Sequence, residues 1–296
     1  MRTISIIFSI IISINIAVAK NFCDACFDGV CYTKTLIYKK NPVSGQLAID
    51  RNENIVYFHY QSKKSSDHTV AYDLDDIRLL TVPNIQFSFA KTVDQNTGDV
   101  YLGGTTGVYK YNANTSQSSL YGLSDKTLWH MQFKGMLYYT NFMSKGLFTY
   151  DKKQSRSVQA LDDFIIDDFV IDRNDDLYFV SNFTVYILKK GDKKPSVFSD
   201  ITYSLSTDSN DIVYFVQKDS KGLFKLDYRD GTMIEVGVFG VGTPYRMVFD
   251  KSNNIIYYNS DDSKLYCLLP NYARCKIKSE GVGRRLRKKV SRINTK

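Results

Sequence analysis

Apolar and polar positions along this chain alternate in short runs and do not recur at helical spacing. The runs are rich in β-branched and aromatic residues and end in Asn, Asp or Gly, the pattern of strands joined by tight turns. One stretch organises the rest. Gly98 to Asn112, GDVYLGGTTGVYKYN, reads as a β-hairpin: Val100-Tyr101-Leu102 runs out, Gly103 to Gly107 reverses the chain, and Val108, Tyr109 and Tyr111 return. Its outgoing strand recurs around Tyr57, Tyr138, Tyr178, Tyr214 and Tyr257, so that the steps from tyrosine to tyrosine, Tyr101 included, are 44, 37, 40, 36 and 43 residues. The return strand recurs as Leu147-Phe148, Val185-Tyr186, Leu223-Phe224 and Leu265-Tyr266. Ahead of each tyrosine lies a further short strand that usually closes on Asp, at Asp50, Asp94, Asp172, Asp208 and Asp250, before an Asn- and Asp-rich turn. The third copy departs, with Lys134-Gly135 in that place.

A period near forty residues with three visible strands and a looser fourth is what a propeller blade requires. The predicted fold class is all-β, a six-bladed β-propeller closed by pairing of the N- and C-terminal segments. Helical repeats would show apolar spacing of three and four, and a sandwich gives no reason for six copies of one unit. The expected organisation is a signal peptide over 1–19, a Cys-containing segment with a closing strand over 20–38, the propeller over 39–276, and a basic tail over 277–296. The closing strand is read at Val30 to Tyr38, where residues alternate.

The leader combines Arg2, an apolar run and Ala17-Val18-Ala19, the marks of a cleaved secretory signal, so the mature chain is expected outside the cell as a monomer. No other stretch is apolar enough to span a bilayer, and no stable membrane insertion is expected. In that compartment Cys23, Cys26, Cys31, Cys267 and Cys275 read as disulfide candidates; five is odd, and fifteen two-bridge patterns are open. A bridge from the N-terminal cluster to Cys267 or Cys275 would lock a ring; the rival is a local Cys267 to Cys275 staple. A zinc site at Cys23, Cys26 and Cys31 needs a fourth ligand and a reducing compartment. Asn114 and Asn182 begin sequons in loops and are candidates for glycosylation.

Charge changes the picture only at the end of the chain. The formal net charge is +8, and the segment after Cys275 alone carries nine basic residues against Glu280, so the rest is nearly neutral. The tail reads as a solvated extension that can meet acidic glycans or lipids, and no nucleic-acid partner is expected. Fourteen per cent of the residues are aromatic, with 22 Tyr, 18 Phe and one Trp, so the blades pack through phenyl and phenol rings.

Candidate chemistry is sparse. His59, His68 and His130 do not fall at ligand spacing, and no nucleophile elbow, metal motif or phosphate loop is written in the chain. Asp162-Asp163, Asp167-Asp168 and Asp73 with Asp75-Asp76 read as solvated turn carboxylates in preference to a calcium site. The expectation is a binder, not an enzyme, with no cofactor.

Several stretches together resemble a known family: Cys23-Asp-Ala-Cys26 running into Asp28-Gly29-Val30-Cys31-Tyr32, LAIDRNENIVYF, GGTTGVYKYN and FVIDRNDDLYFV. These are similar to the lepidopteran ommochrome-binding proteins, and the resemblance covers nearly all of the mature chain. It implies a secreted haemolymph carrier for ommochrome pigments or related tryptophan-derived metabolites, and places no ligand residues. The alternative is a metal-dependent propeller hydrolase similar to gluconolactonase and regucalcin. Those enzymes look for a Glu on the first inner strand, where this chain has Gly45-Gln46-Leu47-Ala48.

Small molecules bind where apolar walls meet a few directed polar groups, which in a propeller means the loops leading into the innermost strands. Those loops carry Phe87, Phe89, Trp129, His130, Phe164, Tyr203, Tyr245 and Arg246, the predicted ligand-binding set. A planar, carboxylate-bearing pigment would stack on the rings and meet Arg246.

Overall fold

Most of the short alternating runs pair with their nearest neighbours in sequence. The computed structural model describes residues 22–275, apart from 63–66, 84, 86, 201, 203, 218, 241 and 260, so the leader and the basic tail lie outside the described residues. A hairpin of β1 (Ala25–Phe27) and β2 (Val30–Tyr38) comes first. It is followed by β3 (Val43–Asp50), β4 (Ile55–Gln61), β5 (Asp67–Asp73), β6 (Arg78–Thr81), β7 (Ala90–Asp94), β8 (Asp99–Gly104), β9 (Gly107–Asn112) and β10 (Gln117–Gly122). Next are β11 (Leu128–Lys134), β12 (Met136–Asn141), β13 (Phe148–Tyr150), β14 (Ser155–Ser157), β15 (Asp168–Ile171), β16 (Leu177–Ser181), β17 (Thr184–Leu188) and β18 (Ser196–Asp200). The last are β19 (Ser204–Thr207), β20 (Val213–Gln217), β21 (Gly222–Asp227), β22 (Thr232–Phe239), β23 (Pro244–Phe249), β24 (Ile255–Asn259) and β25 (Leu265–Arg274). Helix among the described residues is one 3-10 turn, Gln159–Leu161.

Strands β3–β6, β7–β10, β11–β14 and β15–β18 each form a four-stranded antiparallel sheet in chain order. The rest form one nine-stranded sheet, β19-β20-β21-β22-β1-β2-β25-β24-β23. Its two ends repeat the four-stranded order. At one of them β2 takes the outermost place against β25, with Tyr32 opposite Pro270 and Leu36 opposite Tyr266, while β1 pairs across to β22. The first strands touch in a closed sequence, β3 to β7 to β11 to β15 to β19 to β23 and back to β3.

The recurring Asp explains the turns. Oδ1 of Asp50 accepts the amides of Asn52 and Glu53, at 2.9 and 3.2 Å, and Asp172, Asp208 and Asp250 each accept two following amides in the same way. The chain can then reverse through a left-handed residue, Asn54, Gly98, Asp175, Asp211 or Asn253 in the five Asp turns and Gly135 in the third copy. Between the sheets the aromatic rings are the packing units. Tyr57, Tyr139, Tyr257, Phe169, Phe179 and Phe215 are fully buried, each ring contributing about 1.5–3 kcal/mol by removal from water.

The disulfides are Cys23–Cys31 and Cys26–Cys275. Of the alternatives left open by the sequence, one end-to-end bridge is present, whereas Cys267 is a buried free thiol and joins neither. Its place on β25, between the sheets and against Ile256 and Leu265, leaves no partner sulfur in reach. The four other sulfurs are taken up in the two bridges. Cys26–Cys275 spans a sequence separation of 249 residues, for which loop-closure entropy gives about 5 kcal/mol.

Candidate functional site

The closed sequence of first strands brings polar side chains onto a common axis. Gln46, His130, Asp168 and Arg246 each stand four residues before the turn position of their strand, and Lys91 stands three before Asp94. All five line a central cavity of about 130 Å³. Arg51 lines it too and ties its own strand to two others, with Nε donating to the carbonyl of Phe249 at 3.1 Å and a terminal nitrogen to that of Thr207 at 2.8 Å.

Gln46 is the hub of this cavity. Its Oε1 accepts the amides of Lys91 and Met131, both at 3.0 Å, and its Nε2 donates to the Met131 carbonyl at 2.7 Å and to Nε2 of His130 at 3.0 Å. His130 therefore carries its proton on Nδ1, which faces Oδ1 of Asp168 at 3.3 Å. Oδ2 of Asp168 accepts the Leu205 amide at 3.0 Å and lies 3.4 Å from the Arg246 guanidinium. Burial pushes the His130 imidazole down to about 4, against the pull of Asp168, so the ring is neutral at neutral pH. Lys91 is completely buried, and burial holds its amine well below the ordinary lysine value. Its Nζ donates to the carbonyls of Gln46 at 2.9 Å and Phe89 at 3.3 Å.

Beside this axis lies a larger hollow of about 400 Å³ with a different character. Phe89 stacks on Trp129 with centroids 4.6 Å apart, Phe87 continues the stack at 6.3 Å, and Phe142 leans on the far side of Trp129 at 5.3 Å. Phe87, Phe89 and Trp129 are half-buried, and Phe142 is exposed. Gly45 allows the wall to form: its φ is +73°, and a Cβ there would meet the Phe89 carbonyl oxygen at 2.7 Å. The polar side of the hollow is a chain of three groups. Ser44 Oγ and His59 Nδ1 are 2.9 Å apart, and His59 Nε2 is 3.1 Å from Oδ1 of Asp67.

Of the predicted ligand set, Phe87, Phe89 and Trp129 stand together on the hollow. His130 and Arg246 lie behind them on the axis, buried and already bonded; the Arg246 guanidinium also donates to the carbonyls of Tyr245 and Asp167. The Asp167 carbonyl accepts the Trp129 indole N–H as well, at 3.1 Å, which joins the two regions. Tyr245 packs edge-on against Tyr258, with the Arg246 guanidinium 4.5 Å above its ring. Phe164 goes elsewhere, packing on Phe179 and Tyr186 of the β15–β18 sheet, because the chain around it pairs with the preceding sheet through Lys145 and Ile165. Tyr203 lies outside the described residues. Asp168 is not the solvated turn carboxylate expected from its doublet; it is 1% exposed on the axis. Sequence reasoning also passed over Ser44, Asp67 and Lys91. No signal singled out Lys91, since its strand Ala90-Lys91-Thr92-Val93-Asp94 mixes polar and apolar residues.

No protein-family model matches the chain. The Ommochrome-binding protein of Manduca sexta is a relative, 22% identical over 244 residues, which cover 79% of this chain and 87% of that protein. Among solved structures, a gluconolactonase from Xanthomonas campestris is similar with a TM-score of 0.65 at 10% identity, covering 85% of this chain and 96% of that one. A regucalcin from Agrobacterium tumefaciens gives a TM-score of 0.57 at 12% identity, covering 84% and 96%. A streptogramin B lyase gives 0.53 at 11%, covering 81% and 98%. The resemblance to the ommochrome-binding proteins holds, and the all-β fold is of propeller type. One expectation is corrected. The chain was read as not an enzyme because it carries no motif for turnover, but chains of this fold include gluconolactonases, so a missing motif does not exclude hydrolysis.

Proposed function

We propose that the protein is a carrier for ommochrome pigments or related tryptophan-derived metabolites, held in the hollow walled by Phe87, Phe89, Trp129 and Phe142. The observation that carries this reading is the Phe89–Trp129 stack, 22° from parallel and half-exposed, which presents a flat aromatic face to a planar ligand. The relationship to the Manduca sexta protein supports the ligand class. The accompanying architecture is a six-bladed propeller closed by β2 against β25, secreted into haemolymph as a monomer, with exposed Asn114 and Asn182 as glycan sites. Because Arg246 is committed to Asp168, a pigment carboxylate in the hollow would meet it only by displacing that partner.

The expected outcome of adding an ommochrome is saturable quenching of tryptophan emission, since Trp129 is the sole tryptophan. Binding measured by pigment absorbance that persists in Trp129→Ala with unchanged affinity would place the ligand elsewhere.

A second reading, lactone hydrolysis on the axis, is favoured by the likeness to gluconolactonase. The axis residues do not fit the divalent ion such an enzyme would hold. Of the two carboxylates that line the cavity, Asp168 is taken by Arg246 and the Leu205 amide and Asp211 by Lys134, while Arg51, Lys91 and Arg246 line it with basic groups. An assay of gluconolactone turnover with and without chelator decides it.

A further inference from the structure

Carriage of a pigment does not require the three polar groups that line the aromatic hollow. Ser44, His59 and Asp67 make a continuous relay, 2.9 Å from Oγ to Nδ1 and 3.1 Å from Nε2 to the carboxylate. The imidazole is 3% exposed, whereas Ser44 is half-buried and opens onto the hollow. We propose that Ser44 is an acyl-transfer nucleophile, with His59 as its general base and Asp67 holding the imidazole, acting on aryl esters whose ring lodges against Phe87, Phe89 and Trp129.

A nucleophile, a base and an orienting group within hydrogen-bond reach define such a site by geometry and role, whatever their order in the chain. Here the serine uses Nδ1 and the carboxylate Nε2. With the Nε2 proton given to Asp67, the Nδ1 lone pair faces the Ser44 hydroxyl. Ser44 sits where β3 bulges away from β4, next to the left-handed Gly45. Bulges of this kind re-aim side chains beside active sites. Burial lowers the basicity of His59 most, Lys91 and His68 lower it further, and Asp67 opposes them, so the base form prevails at neutral pH.

The chemistry balances with water as co-reactant. Ser44 Oγ adds to the ester carbonyl carbon as its proton passes to His59 Nδ1. The adduct collapses, the bond to the phenolic oxygen breaks, and His59 returns the proton to that oxygen. Water, deprotonated by His59, then releases the carboxylic acid and restores Ser44. The proposal needs only the hollow and does not depend on a pigment being its usual occupant.

The test uses the full mature chain, a fluorophosphonate probe and 4-nitrophenyl butyrate. Expected are one probe adduct on the peptide containing Ser44, no adduct in Ser44→Ala, and kcat/KM for the ester lower by roughly 10²-fold or more in that variant. In Asp67→Asn the acid limb of the pH profile should move to lower pH, because Asp67 raises the His59 pKa; a merely structural carboxylate would leave it in place. Circular dichroism confirms folding, and pigment quenching of Trp129 in Ser44→Ala reads the carrier role separately. Absence of label at Ser44 in the folded protein, or ester turnover unchanged by Ser44→Ala, overturns the proposal.

Discussion

The axis and the hollow beside it are built from the same strands, yet they use polar groups in opposite ways. On the axis, Gln46, Lys91, His130, Asp168 and Arg246 are spent on one another and on backbone groups of neighbouring strands. These bonds cross between first strands, some to the next and some to the one beyond, so the polar groups do the work of a hydrophobic core. In the hollow the rings are half-buried or exposed, and Ser44 and Asp67 remain partly open to solvent. The difference teaches where to look for a ligand in such a fold. Groups that close a ring of strands are committed before any ligand arrives, whereas those at its margin keep a free face.

The largest expected effect separates the two regions by stability. Asp168→Ala leaves Arg246 buried without its paired carboxylate, and breaking a buried pair in this way costs about 3–5 kcal/mol. Asp67→Ala removes a carboxylate that is 29% exposed and leaves the neutral His59 Nε2–H without its acceptor, for which the expected cost is about 1–3 kcal/mol. Urea unfolding of the two variants measures both. Equal costs would break the distinction and make the hollow as structural as the axis.

Acid sharpens the same contrast. His130 has a folded pKa of about 4 against 6.5 for a free imidazole. Below 6.5 the unfolded chain binds a proton that the folded chain refuses, so this part of the stability is complete above pH 6.5 and is lost as pH falls toward 4. Full loss amounts to about 3 kcal/mol. His130→Gln should flatten unfolding free energy over that window, even if it lowers stability at pH 7. A variant whose acid sensitivity matches the wild type would show that another group, His59 first, carries the transition.

Much of this architecture is legible in the sequence and the site only partly so, for a reason visible in β3. The tyrosine repeat and the Asp turns depend on local alternation and turn chemistry, which the sequence states directly, and the alternating stretch Val30 to Tyr38 is a strand, paired with β25. The aromatic wall was also in reach, since Phe87 and Phe89 sit in the loop entering β7 and Trp129 at the start of β11. Ser44, His59 and Asp67 were not. Ala48 pairs with Tyr57, and unbroken alternation from there would set Ser44 opposite Gln61; the bulge shifts the register by two and sets it opposite His59. Lys91 was missed because a lysine in an alternating strand is read as solvent-facing, and only the assembled ring supplies the two carbonyls that hold it.

The smallest expected effect asks whether the aromatic wall serves the ligand or the fold. Phe89 and Trp129 stack at 4.6 Å, but both are half-exposed, and the backbone of Phe89, not its ring, is tied to the axis through its carbonyl. Phe89→Ala keeps that carbonyl and removes only the stacking face. An aromatic pair contributes about 0.5–1.5 kcal/mol beyond burial, so ommochrome affinity should fall by roughly two- to twelvefold, with no comparable change in the urea midpoint. Titration by Trp129 fluorescence in the Phe89→Ala background gives the first number and unfolding the second. If instead the midpoint drops while affinity holds, the rings pad the mouth of the axis, and the hollow owes its shape to the fold alone.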